Sequence, residues 1–168
     1  MGDLLFFAAY FVIFMVYRAQ GTAQFVASQQ HLSLLAGALN TLVLLTSSRF
    51  VALGVQAARA GEHRRASRLI SGGAVCGVAF VLIKAFEWWS EISQGFTLTR
   101  NNFFMFYYML TGVHLFHVLL GLVFLGIVLR ELRAPDRCRT WLVESGAIFW
   151  HMVDLLWIVI FVLLYLMR

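Results

Sequence analysis

Two histidines, His114 and His117, stand three residues apart in "TGVHLFHVLLG" (Thr111 to Gly121), inside an apolar run. Further along, "ESGAIFWHMVDLLW" sets Glu144, His151 and Asp154 at i, i+7 and i+10, which is one face of a helix. A third stretch, "FVLIKAFEWWSEI", holds Lys84 and Glu87 three residues apart, with Glu91 one turn on. Such groups can ligate a metal, carry protons, or join helices by hydrogen bonds. Three histidines and an aspartate suffice chemically for zinc, iron or copper. Di-iron bundles, however, pair Glu-x-x-His motifs, and no glutamate here precedes a histidine by three. Haem ligation needs only one or two histidines, and nothing in the spacing selects it. Lys84 and Glu87 can neutralise each other, or Glu87 can handle protons. The chemistry alone favours a buried polar network, in which each interhelical bond contributes about 1 kcal/mol and sets helix register.

The elements that carry these groups are membrane spans. Of 168 residues, 61% are hydrophobic and 12% charged, with mean hydropathy +0.82, against about 45 to 50% apolar in soluble domains. Apolar segments at about 4–22, 32–57, 69–93, 102–129 and 141–167 each reach the roughly 20 residues that a bilayer demands. They lack the alternation of barrel strands, so the expected fold is all-α, a bundle of five transmembrane helices in a single domain over residues 1–168. Glycines at 72, 73, 77, 112 and 121 would let those helices approach closely. The segment near the N-terminus has no basic region and no cleavage site, and reads as a retained span.

Basic residues cluster in "RAGEHRRASR" (Arg59 to Arg68) and "RELRAPDRCR" (Arg130 to Arg139), whereas the opposite connections hold Arg18 and Arg100. The positive-inside rule then places the N-terminus in the cytoplasm and the C-terminus in the periplasm. The net charge of +5 is thus a topology signal, with no basic aromatic stretch to suit nucleic acid. Cys76 in a span and Cys138 in a loop are too far apart in depth to pair. Counting about 1.5 Å per residue from the basic ends, Lys84, His114, His117, His151 and Asp154 all fall about 15 to 22 Å deep. Glu87 falls further out and Glu144 near the basic edge. Asn40 and "TSSR" (Thr46 to Arg49) add polar groups to the second span, with Arg49 placed to snorkel. Trp88, Trp89, Trp141 and Tyr165 fall at span ends like interfacial aromatics, and Trp150 and Trp157 fall deeper, where they pack between helices.

"KAFEW" (Lys84 to Trp88), "NNFFMFYYMLTGVHLFHVLLG" (Asn101 to Gly121) and "ESGAIFWHMVDLLWIVIFVLLYL" (Glu144 to Leu166) resemble subunit III of the haem-copper oxidase family. "GDLLFFAAYFVIFMVYRAQ" and "LNTLVLLTSSRFVALGVQAARAG" look like its short five-helix branch, associated with bacterial nitric oxide reductase. The cytochrome c branch usually has seven helices. The resemblance implies a non-catalytic accessory subunit in a bacterial inner membrane, binding no cofactor itself. Haem is expected in the catalytic subunit beside it, which has cytochrome or quinol-linked partners, with lipids around the assembly and no nucleic acid. Denitrification is the implied setting, and subunit III of a quinol or cytochrome c oxidase is the alternative. The resemblance makes the carboxylate at Glu87 the reactive intramembrane acid and places His114, His117, His151 and Asp154 in the packing core. Where the family motif has Gly-Leu between the histidines, Leu115 and Phe116 stand here, and a lysine at Lys84 replaces a neutral residue. Two other classes compete with the accessory reading: a small oxidoreductase with metal or haem in the histidine layer, and a proton conduit built on Lys84, Glu87 and the Glu144 stripe.

Overall fold

A computed structural model describes residues 2–20, 34–93, 102–133 and 139–166, with side chains described for 7–17, 34–93, 105–133 and 139–166. Arg100, Pro135, Arg137 and Cys138 lie outside the described residues, as does the side chain of Arg18. Among the described residues five α-helices follow one another: α1 Gly2–Gln20, α2 Leu34–Arg59, α3 His63–Ser93, α4 Asn102–Leu132 and α5 Thr140–Phe161. A π-helical turn, Val162–Leu166, continues α5. No strand occurs among the described residues. In lipid a helix meets its own backbone hydrogen-bonding needs, which is why long apolar runs take this form.

Among the described residues, four helices are long and apolar enough to cross a membrane, and the part of α1 whose side chains are described, Phe7–Tyr17, is apolar as well. The helix α3 begins six residues before the apolar boundary at 69 that the sequence suggests. The expected loop from Arg59 to Arg68 is instead a turn. Gly61, at φ +78, takes a left-handed conformation that glycine adopts without a Cβ clash. Its N–H donates to Ala58 O, while the Glu62 N–H donates to Ala57 O, a Schellman pair that ends α2. The Arg65 and Ala66 N–H groups then donate to Glu62 O, which starts α3 at once.

The helices α2, α3, α4 and α5 pack as a closed antiparallel ring, with the α2–α3 contact the most extensive. Half of α5's apolar stretch is buried against 28% in each of the other three spans, so α5 is the hub. Its register against α2 is set at four levels. Arg59 meets Glu144, Ser48 meets His151, Ser47 meets Trp150 and Thr41 meets Trp157. The wholly buried Trp150 fits because Gly77 and Gly121 face it, and a Cβ at either would approach its ring to 2.6 and 2.7 Å. Outside the ring, α1 lies on α4, with Phe7 edge-on to His117 and Phe14 edge-on to Phe106. Large apolar side chains cover the outer faces, among them Leu82, Phe86, Phe116 and Val123. Those faces suit lipid or other helices.

Candidate functional site

The buried face of α3 carries Lys84, Glu87 and Glu91, all less than a tenth exposed. Lys84 Nζ donates to Glu87 Oε2 at 2.9 Å, to Tyr107 OH at 3.0 Å and to Tyr165 OH at 2.7 Å. An ammonium has three protons, so its donor capacity is used in full. Tyr107 and Tyr165 in turn donate to Glu87 Oε1, at 3.3 and 2.5 Å. Two unit charges removed from water cost several kcal/mol each unless geometry and additional hydrogen bonds compensate. Here both charges are bonded within one four-residue cage spanning α3, α4 and the π-helical turn. The rings of Tyr107, Trp157 and Tyr165 also lie 4.8 to 5.3 Å from Lys84 Nζ, close enough for cation–π attraction. Glu91 stands one turn beyond, and its Oε2 has no hydrogen-bond partner.

The two tyrosines are the residues that sequence reasoning missed. Tyr165 reads as an interfacial aromatic from its place near the end of the last span, yet it is 1% exposed. The π-helical turn brings it inward, and such irregular turns re-aim side chains in ways no periodicity predicts. Gly37 makes room: a Cβ there would lie 2.9 Å from the Tyr165 ring. The spacing of Tyr107, Thr111, His114 and Val118 on one buried stripe of α4 was the available signal for Tyr107.

The histidines do not form one cluster. His114 is fully buried, and its ring lies 5.3 Å from Trp157 and 5.8 Å from Phe80, with neither nitrogen hydrogen-bonded. His117 faces α1 and donates its Nδ1–H to Val113 O at 2.8 Å. His151 Nδ1 pairs with Ser48 Oγ at 2.6 Å, toward α2. Asp154 is buried with neither oxygen in a hydrogen bond of ordinary geometry. Glu144 sits apart at the basic end, accepting from Arg59 Nε at 2.8 Å in a half-exposed pair. Sequence spacing put Glu144, His151 and Asp154 on one face of α5, and the depth count put the three histidines and Asp154 at one level, but each helix has several neighbours, and a stripe about a hundred degrees wide touches more than one of them. Among the described residues, no group of three or more His, Cys, Asp or Glu converges to hold a metal ion.

Ser47 and Trp150 complete the polar framework. Ser47 Oγ donates to Gly73 O at 2.7 Å and accepts from Trp150 Nε1 at 3.0 Å, so one hydroxyl bonds α2 to both α3 and α5.

Fold and site together define a class: a polytopic helical membrane protein with a buried ion pair enclosed by its own side chains. The family model for cytochrome c oxidase subunit III matches residues 2–168. Cytochrome c oxidase subunit 3 of a Synechocystis strain is 31% identical over 170 residues, covering 99% of this chain and 72% of that protein. The subunit 3 of Corynebacterium diphtheriae is 28% identical, and a probable subunit 3 of Mycobacterium leprae 31%, each covering 99% of this chain and 83% of the relative. The chain belongs to the cytochrome c oxidase subunit III family.

Proposed function

We propose that this chain is a non-catalytic accessory subunit of a respiratory haem-copper complex, seated beside the haem-bearing subunit in a bacterial inner membrane and supporting its assembly, stability or proton uptake. The observation that carries this reading is the enclosed cage: Lys84, Glu87, Tyr107 and Tyr165 satisfy one another across three elements, as a packing device does. The outer apolar faces are then the surfaces for the partner and for lipid. On this reading the chain binds no haem or metal itself, and the basic turn and the α4–α5 connection face the cytoplasm, with the N-terminus on the same side. Glu87 is the carboxylate through which any proton-uptake role would run, and its exchange with Lys84 and the two tyrosines is the first part of that route.

For the reaction of the complex, the relatives described above carry the name of cytochrome c oxidase, which favours oxygen as the substrate. None of these three carries a nitric oxide reductase name, so the reductase reading of the sequence gains no support from them. It rests on the resemblance of the first half to the five-helix branch and on Lys84. Purification from the native membrane in mild detergent through a tag on this chain tests both levels. A co-purifying haem protein with oxygen-consuming activity is the expected result. Nitric oxide consumption would return the chain to the reductase branch. The chain recovered alone with stoichiometric haem or metal would overturn the accessory reading.

A further inference from the structure

Arg49 is an exposed charged side chain in the middle of a membrane-spanning helix. Gly54, five residues nearer the basic end of α2, packs on Ile70, beside the Leu69 where the apolar run of α3 starts. Arg49 therefore lies about 7 Å inside that boundary, at about 1.5 Å per residue. Its Cα–Cβ bond leans toward the N-terminus of α2, as helical side chains do, and that end is the one away from the basic turn. The snorkelling expected from the sequence thus runs against the direction of the helix. Among the described residues no carboxylate pairs with this guanidinium. At a similar depth the outer faces of α3, α4 and α5 present Val75, Leu120 and Ile148. A guanidinium among hydrocarbon is costly, and intramembrane charges are met by partners of opposite charge or by carbonyls.

The residues around Arg49 form a seam. Leu39, Leu42, Thr46, Arg49, Leu53 and Gln56 follow one another at alternating spacings of three and four, and all are exposed. That is the spacing by which one helix lays a straight stripe against another. Thr46 Oγ1 donates to Leu42 O at 2.8 Å, so its proton is used within α2 and its oxygen is left to accept. The described part of α1 lies against α4, across the ring from this stripe. Lipid tails would cover the leucines and leave the guanidinium unmatched, since phosphates lie in the polar layer outside the hydrocarbon. A second copy of the chain offers no better match. Of the described carboxylates, Glu62 and Glu144 pair with Arg65 and Arg59, Glu131 accepts from the Arg139 N–H, and Glu87, Glu91 and Asp154 are buried.

We propose that this stripe of α2 seats a transmembrane helix of a different protein, which presents an aspartate or glutamate to Arg49. The inference rests on the reading that the chain has a partner in the membrane, and adds the face that meets it and the pairing that holds it. The test is photocrosslinking in native membranes, with benzoylphenylalanine placed in the tagged chain at Leu42 or Leu53 on α2, and for comparison at Leu82 on α3 or Val123 on α4. Mass spectrometry then identifies the crosslinked peptide. Leu42 and Leu53 are expected to reach one apolar helix with an acid within a turn of the level of Arg49. Arg49→Glu should lower recovery of that partner by about tenfold or more, since like charges facing each other across an interface repel. Arg49→Lys should keep most of the recovery, and changing the partner's acid to lysine should restore it to the Arg49→Glu chain. Crosslinks from Leu42 and Leu53 to lipid or to a second copy would overturn the inference. So would a crosslinked helix with no acid at that level, or recovery unchanged by Arg49→Glu. If Arg49→Glu lowers the yield of the chain itself, the crosslinks, made with Arg49 in place, decide. Crosslinks from Leu82 or Val123 alone would overturn this seat and leave the accessory reading standing, whereas a chain with no partner from any position would end both.

Discussion

Lys84 is the side chain on which most of the buried chemistry converges. Its removal leaves Glu87 ionised or unpaired in a site built around the pair, and breaking a buried pair costs about 3 to 5 kcal/mol. Lys84→Met should therefore abolish most of the folded protein recovered by size-exclusion chromatography, whereas Lys84→Met/Glu87→Met, which takes both charges out together, should recover a substantial part. A double variant no better than the single would mean that the unpaired carboxylate is not what unfolds the chain. Ser47→Ala removes one hydroxyl but two interhelical bonds. At about 1 kcal/mol each, the expected loss is about 1 to 2 kcal/mol in a denaturant unfolding measurement. Arg59 and Glu144 form a half-exposed pair at the basic end, and Glu144→Gln should change stability by less than about 1 kcal/mol.

Helices here are held at distances set by small residues, and Trp150 shows the dependence most directly. Gly77→Val and Gly121→Val each force a side chain into space the indole fills. Either should destabilise the protein by about 1 to 3 kcal/mol, the usual cost of overpacking, and Trp150→Leu in the same chain should relieve part of the loss. If Trp150→Leu worsens both, the indole's bond to Ser47 outweighs the space. The turn at Gly61 works differently, because a Cβ there would touch nothing. Its glycine is needed for its positive φ, so Gly61→Ala should cost about 1 kcal/mol with no change in packing. Thermal unfolding in detergent checks that figure.

Across the whole molecule, inner and outer apolar positions should behave oppositely. Trp157 is buried at the hub, beside Phe80, His114 and Lys84. Trp157→Ala should cost about 3 to 5 kcal/mol of fold stability. Phe86 and Phe116 are more than half exposed on the outer faces, so alanine at either should leave the isolated chain nearly as stable. Where the catalytic partner covers such a face, the same change lowers the haem recovered with this chain while its own yield holds. A loss of both together would place these residues in the fold of the chain itself.

Composition and periodicity were enough for the all-α fold and for five helical segments, because backbone hydrogen bonding in lipid leaves long apolar runs only one form, but not for the start of α3, which lies six residues before the apolar run at a turn set by Gly61. The Lys84–Glu87 contact was legible too, since residues three apart on a helix face each other whatever surrounds them. The family was legible as a resemblance, carried by the stretches Lys84 to Trp88, Asn101 to Gly121 and Glu144 to Leu166. The remaining partnerships were decided by the tertiary structure. Tyr107 and Tyr165 lie 23 and 81 positions beyond Lys84, and His151 lies 103 from Ser48. Such partners depend on which helix neighbours which and on how each is rotated. A depth count along separate helices placed the histidines at a common level, but rotation about each axis sent His114, His117 and His151 toward different neighbours.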